Sequence, residues 1–208
     1  MRAEGAIVCI DGIDGSGKTT HSLALVRYLR AKGLKAIYLK PLYLGFKEGA
    51  GKRRGRGSLL SRLHRLKGVL SHRSGPSSLL VKGLLTIAVV LYAFFVRALV
   101  LARYRRSGYI IICDRYFYYW AFVIWGTSAL KVVRSLPRPD RCVILNLPLT
   151  SVIKSRIHEE HDRLLPLSYY ALLHKCYLLL GKLFGFPLIN TAKDLSEVRR
   201  DILRVLGV

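Results

Sequence analysis

The sequence predicts a three-layer α/β fold, a parallel five-stranded sheet with helices on both faces, and three observations lead there. Short, nearly continuous apolar runs alternate with longer helical patterns, as expected when parallel strands are covered on both faces. The octapeptide Gly12-Ile13-Asp14-Gly15-Ser16-Gly17-Lys18-Thr19 stands between the first such run and the first helical pattern. The 208 residues suit one domain over 1–208, with no internal repeat to divide them.

The elements follow in order. Ala6–Asp11 (AIVCID) is the first strand, and it closes on an acid and a glycine-rich turn. Lys18–Ala31 is the first helix, and Lys35–Lys40 (KAIYLK) the second strand. Gly45–Gly57 carries five glycines and reads as a flexible loop. Ser78–Arg106 is a long helix whose Gly83–Val96 stretch is apolar for 14 residues. A bilayer-spanning helix wants about 20, and a helix apolar all round is expected to be a buried central one. The basic flank Arg103, Arg105 and Arg106 keeps contact with a membrane surface open as the alternative. Tyr109–Asp114 (YIIICD), Cys142–Leu147 and Pro187–Asn190 are the remaining strands. Helices are expected at Leu149–Arg156 running on towards Glu160, at Leu167–Leu183 and at Leu195–Leu206. In a sheet wound this way, ligands bind at the carboxyl ends of the strands.

Composition sets bounds. Hydrophobic residues make up 51% of the chain, too many for disorder. Thirty-five Lys and Arg against 12 Asp and Glu give a formal charge of +23, which implies a polyanionic partner: nucleic acid, an anionic membrane or phosphorylated small molecules. The charge is uneven. Gly49 to Cys113 holds 13 Lys and Arg and no acid, so more than half of the surplus lies in a third of the chain. Cys9, Cys113, Cys142 and Cys176 form no CxxC pair and no zinc-ligand spacing. They are expected as buried thiols, with a cytoplasmic location. The run Ala6–Asp11 is too short for a signal-peptide core.

The octapeptide fits GxxxxGK[ST] without a mismatch. Its glycines let successive backbone N–H groups turn inward around phosphates, at a helix N-terminus that adds partial positive charge. Lys18 is placed to reach the β and γ oxygens, and the Thr19 hydroxyl to ligate Mg²⁺. ATP binding is therefore assigned to Gly12, Ile13, Asp14, Gly15, Ser16, Gly17, Lys18, Thr19 and Thr20, and the fold becomes a P-loop NTPase fold. A guanine-reading NKxD is absent, since Asn190-Thr191-Ala192-Lys193-Asp194 has the wrong spacing. Asp114 ends an apolar strand and Arg115 follows at once. An arginine there suits a second bound phosphate better than an attacking water.

With these residues in view, the chain resembles the thymidylate kinase family of P-loop nucleoside monophosphate kinases. Asp11–Thr20 resembles that family's (E/D)GxDGxGKTT, Asp114-Arg115-Tyr116 its DRY, and Pro139-Asp140 leading into Cys142–Pro148 its PD-x-(apolar)-LD-x-P strand. Asn190–Val198 resembles its closing segment. The resemblance implies ATP and a nucleoside monophosphate as substrates, dTMP by default, with Mg²⁺ as the metal ion. It implies that Asp14 faces the acceptor sugar or Arg115, that Arg115 holds the acceptor phosphate, and that Asp114 with Thr19 organises the metal. The P-loop position for a catalytic arginine is Gly15 here, so Arg156 and Arg163, in a short lid at 154–166, are expected to close on the transferring phosphoryl group. The segment 41–107 is the acceptor-binding and insert region. A homodimer through helices beside the sheet is a further implication.

The departures concern the acceptor base. The family's arginine on the acceptor helix falls near Phe94, with Arg97 as a nearby substitute. The serine beyond DRY is Tyr119, the Arg-Glu-Pro after the second strand is Leu39-Lys40-Pro41, and the acid of the fourth strand is Asn146. Tyr116 to Trp120 form an aromatic cluster, either a base-stacking wall or core packing against the sheet. Arg97, Arg115, Tyr116, Tyr119 and Asp14 are therefore the acceptor-site candidates. Three readings stand: a nucleoside monophosphate kinase, a kinase of the same fold for another phosphorylated or lipid-linked acceptor at a membrane surface, and a nucleic-acid-binding P-loop ATPase using the basic 49–113 region.

Overall fold

A computed structural model describes residues 5–41, 45–46, 76–151 and 167–207. The lid segment with Arg156 and Arg163, His158 and His161, and the Lys52–Arg56 loop lie outside these residues.

Five parallel strands form the sheet: β1 (Ile7–Gly12), β2 (Ala36–Lys40), β4 (Ile110–Asp114), β5 (Arg141–Asn146) and β6 (Leu188–Asn190). A two-residue strand, β3 (Gly45–Phe46), adds antiparallel to β2, and the order is β3-β2-β4-β1-β5-β6. β1 lies between β4 and β5 and pairs with both, Cys9 standing level with Cys113 and Cys142. Every residue of β1 is buried, which is what its unbroken apolar run requires. The helices are α1 (Lys18–Ala31), α2 (Pro76–Phe95), a π turn (Val96–Leu101), α3 (Ala102–Arg106), α4 (Tyr118–Trp125), a 3₁₀ turn (Gly126–Ala129), α5 (Leu130–Ser135), α6 (Leu167–Phe184) and α7 (Leu195–Leu206). Residues 149–151 are helical and begin the helix expected there.

Alternation along the strands builds two cores, one on each sheet face. Val8, Ile10, Tyr38, Ile112 and Val143 point to the side covered by α1 and α7, through Leu25, Leu29, Val198 and Ile202. Ile7, Cys9, Ile111, Cys113 and Ile144 point to the other side, where Val96, Phe117, Phe122, Tyr170 and Leu180 meet them. Each fully buried Leu, Ile or Phe contributes about 1.5–3 kcal/mol of transfer free energy. The four cysteines are free and buried, inside the sheet or under it.

One expectation changes. The long helix was expected to be a buried central element; of its most apolar stretch only 17% is buried. Leu80, Leu84, Leu91 and Phe94 face outward. Its length of 28 residues and mean hydropathy of 2.5 satisfy the length and composition of a membrane span. The physical reason is that one side alone meets the sheet layer, through Ala93, Val96 and Leu101, and an apolar residue on the opposite side has nothing to pack against. The helix is also interrupted by the π turn, which no sequence signal marked. At Tyr116–Trp120, of the two readings it is core packing that the structure shows: all five aromatic residues are buried, and the last three begin α4.

Candidate functional site

The site stands at the carboxyl edge of β1 and β4, where the chain leaves the sheet to form two turns. Gly12 carries φ +141°, and a Cβ there would come within 2.4 Å of the Leu145 carbonyl oxygen, so the P-loop passes β5 at a distance glycine alone permits. Gly15 and Gly17 are left-handed as well. Ile13 is buried and anchors the loop in the core. α1 starts at Lys18 with no acid in its first turn, leaving its N-terminal partial charge for an anion.

The second turn follows β4. Arg115 has φ +68°, the one non-glycine residue with positive φ among those described. Holding an arginine in that region costs about 1–2 kcal/mol, and such strain persists where surrounding contacts fix it. Here the Arg115 N–H donates to the Ile10 carbonyl at 3.1 Å, its guanidinium pairs with the Asp14 carboxylate, and it lies 4.9 Å over the Tyr119 ring. Thus Arg115 joins the P-loop to the strand beside it.

Asp11 ties the two turns from below. It is fully buried, and its carboxylate accepts from the Gly12 N–H at 3.0 Å and the Tyr116 N–H at 3.2 Å. Burial pushes its carboxyl above the ordinary range, against the opposing pull of nearby Lys18 and Arg115.

Asp114 is the other centre. One of its oxygens accepts from the Tyr38 hydroxyl at 2.5 Å and the Thr19 hydroxyl at 2.6 Å, and the Lys40 ammonium stands 3.2 Å from it. Burial and then the facing Asp114 raise the Tyr38 hydroxyl well above its ordinary value, so it is a fixed donor. A carboxylate beside the P-loop threonine is a hard-oxygen pair that fits Mg²⁺, which commonly takes one or two protein ligands plus phosphate oxygens and water. Lys40 supplies a cation at the same spot. Among the described residues no cluster of three His, Cys, Asp or Glu side chains could hold a metal alone.

Lys18 is buried at the start of α1, and its ammonium donates to the Ile13 carbonyl. Ser16 Oγ and Arg115 Nε are buried without a hydrogen-bond partner among the described residues. A bound phosphate at this edge would satisfy both, since unpaired buried polar atoms are costly.

The predicted site residues thus divide. Gly12 to Thr20, Asp114, Arg115 and the Asp14 carboxylate converge, and Tyr119 joins them as the surface under the guanidinium. Its hydroxyl meets that of Tyr169 at 3.1 Å. Tyr116 is placed elsewhere: its ring lies in the core, 4.5 Å from the centroid of Phe117. Arg97 sits in the π turn and donates to the Arg138 carbonyl at 2.7 Å. Tyr38, Lys40 and Asp11 were not foreseen as site residues. Asp11 and Lys40 were visible as motif positions, whereas Tyr38 reaches Asp114 through the β2–β4 register, which the sequence does not print. Asn146, in place of the family's acid, holds His174 at 2.8 Å.

No protein-family model matches the chain. Its similarity to curated proteins is nevertheless nearly end to end. It is 28% identical to a protein of Pyrococcus abyssi named probable thymidylate kinase, covering 97% of this chain and 96% of that one. A protein of the same name from Methanothermobacter thermautotrophicus is 26% identical, covering 96% and 93%. Among solved structures, thymidylate kinase from Candida albicans superposes with a TM-score of 0.63 at 16% identity, over 98% of this chain and 92% of that one. That likeness carries the fold, and the archaeal relatives carry the kinship. The chain is thus similar, over nearly all of its sequence, to archaeal proteins named probable thymidylate kinase.

Proposed function

We propose that the chain transfers the γ-phosphoryl group of ATP to a nucleoside monophosphate, with dTMP as acceptor. The observation that carries this reading is the Arg115–Asp14 ion pair, which sets an arginine from the turn after β4 against the P-loop. A single nucleotide hydrolase has no need of a cation there; an enzyme that brings two phosphorylated molecules together does.

In this reading the P-loop N–H groups and Lys18 hold the donor phosphates, and Arg115 holds the acceptor phosphate in line. Phosphoryl transfer of this kind rests on positioning and charge neutralisation, with no covalent intermediate. Thr19 and Asp114 would hold Mg²⁺, which when bound would neutralise charge on the phosphates. Asp14 orients the Arg115 guanidinium, and Tyr119 supports it from beneath. Asp11 keeps both turns in register. Arg156 and Arg163 of the 154–166 lid are proposed to close over the transferring group. The four buried free cysteines support the cytoplasmic reading.

The acceptor base is the finer question. Arg97 is engaged by the Arg138 carbonyl, and Phe94 is half exposed, so the usual pyrimidine contacts of that helix are not met by these two residues. This favours, as a second reading, a monophosphate acceptor other than dTMP at the same phosphate site. A coupled assay with ATP, Mg²⁺ and a panel of monophosphates tests both. Turnover with dTMP at the highest kcat/KM supports the first, and preference for another acceptor supports the second. ATP binding without turnover on any would overturn the kinase assignment.

A further inference from the structure

The carboxylate assigned to the metal already has a cation beside it. Tyr38 and Lys40 are two residues apart on β2 and share one face of the strand, the face covered by α1, where Tyr38 packs into the core. The parallel register sets Leu39 level with Cys113, which brings both side chains to Asp114, the next residue of β4. The Tyr38 hydroxyl and the Lys40 ammonium meet the same Asp114 oxygen, at 2.5 and 3.2 Å. The Thr19 hydroxyl donates to that oxygen at 2.6 Å, and the Lys40 ammonium reaches the Thr19 oxygen at 3.5 Å. The two hard oxygens that would face Mg²⁺ therefore both lie within reach of one ammonium group.

Of the three partners of Asp114, only Lys40 brings a positive charge. It stands where the resembled Arg-Glu-Pro has its acid, so the charge at this position is reversed. Its backbone is fixed: it closes β2, pairs with Gly45 of β3, and is followed by Pro41, whose carbonyl accepts from the Tyr92 hydroxyl at 2.6 Å. Its side chain is 37% exposed, against 2% for that of Asp114. The four-carbon stem can therefore turn the ammonium from the carboxylate towards the P-loop without disturbing the core. Thr19 marks the phosphate end of that loop. An ammonium has three donors and no acceptor, which suits phosphate oxygens as well as a carboxylate.

We propose that Lys40 is a resident counter-cation of the metal position: it holds Asp114 and Thr19 and binds donor phosphates when Mg²⁺ is absent, and gives up that place in the Mg²⁺-loaded site. This role rests on the proposed reading of the edge as the ATP and Mg²⁺ site, and it belongs to a residue which that reading leaves out. Its consequence is ATP binding that depends less on the metal, and Mg²⁺ held more weakly than Asp114 and Thr19 alone would hold it.

The test is equilibrium binding of ATP to the full chain by calorimetry, in excess EDTA and again in saturating Mg²⁺. Lys40→Met keeps the reach of the side chain and removes its charge. It should weaken ATP binding in EDTA by about tenfold, the worth of one charge-assisted hydrogen bond, and change it by no more than about twofold in Mg²⁺. By linkage, Mg²⁺ should then bind the ATP-loaded variant more tightly than the ATP-loaded wild type, by roughly tenfold. Lys40→Gln should show the same split, and thermal melting of both variants should stay cooperative, because the side chain is partly exposed. An equal loss in EDTA and in Mg²⁺ would make Lys40 an ordinary phosphate contact, and no loss in EDTA would reduce it to a partner of Asp114 alone; either result overturns the role. A wild-type chain that binds no ATP in either condition would overturn the reading of the edge, and the role of Lys40 with it.

Discussion

Two regions of this molecule treat charge and apolar surface in opposite ways. At the carboxyl edge of β1 and β4, charged groups are few, largely buried and engaged: Asp11 by backbone N–H groups, Asp114 by Tyr38, Thr19 and Lys40, Arg115 by Asp14. Along the Pro76–Arg106 helix, leucines and phenylalanines face outward and the exposed arginines gather at one end. The difference teaches that the two regions solve different packing problems. The first engages its charged groups and leaves buried Ser16 Oγ and Arg115 Nε unpaired among the described residues, where the proposed phosphates would bind. More than half of the +23 charge belongs to the sequence from Gly49 to Cys113, which includes the long helix.

Substitutions separate the two regions. Lys18→Ala should give the largest effect, a loss of about 10³-fold in kcat for phosphoryl transfer, as expected when a cation on the transferring group is removed. Leu84→Gln with Leu91→Gln should leave that rate unchanged. A comparable loss from the exposed leucines, measured in the same coupled assay, would join the regions that the structure keeps apart.

Gly12→Ala follows in size. Its Cβ would meet the Leu145 carbonyl oxygen at 2.4 Å and cannot relax at φ +141°, so thermal unfolding should show destabilisation of about 3 kcal/mol. Gly33 also has positive φ but nothing within 4 Å of its Cβ, and Gly33→Ala should cost about 1 kcal/mol, the conformational part alone. Equal losses at both positions would remove the close approach of the P-loop to β5 from the account.

The smallest effect concerns His21, buried beneath the P-loop. Burial, and secondarily Arg199, lowers its imidazole below the ordinary 6.5. The unfolded chain therefore binds this proton more readily, and stability from a neutral His21 is present above 6.5 and declines as pH falls through that value. Denaturant unfolding between pH 7.5 and 5 should be flatter in His21→Gln by a few tenths of a kcal/mol. An unchanged slope would mean that His21 takes up its proton in the native state without cost.

The fold was legible because its signals are local. All five parallel strands were readable as apolar runs, and α1 and α7 begin and end where their patterns do. The P-loop was legible because a strand, a glycine turn and a helix N-terminus are contiguous in sequence. Arg115 was legible through Asp114, its neighbour. Tyr38 was not, because its bond to Asp114 crosses from β2 to β4. The long helix was misread for a related reason: an all-round apolar pattern states that a helix avoids water and leaves open what covers each side. The resemblance to the thymidylate kinases rested on four short motifs, and the departures at Phe94, Asn146 and Lys40 proved to be positions with their own local partners or exposure.

The account's central claim is that Arg115 receives the acceptor phosphate while the P-loop receives ATP. The direct measurement is steady-state kinetics of Arg115→Ala with dTMP and ATP each varied, beside equilibrium binding of ATP. The account predicts that kcat/KM for dTMP falls by about 10²-fold or more while the Kd of ATP stays within about twofold. Weakened ATP binding with kcat/KM for dTMP preserved would place Arg115 on the donor side and contradict it.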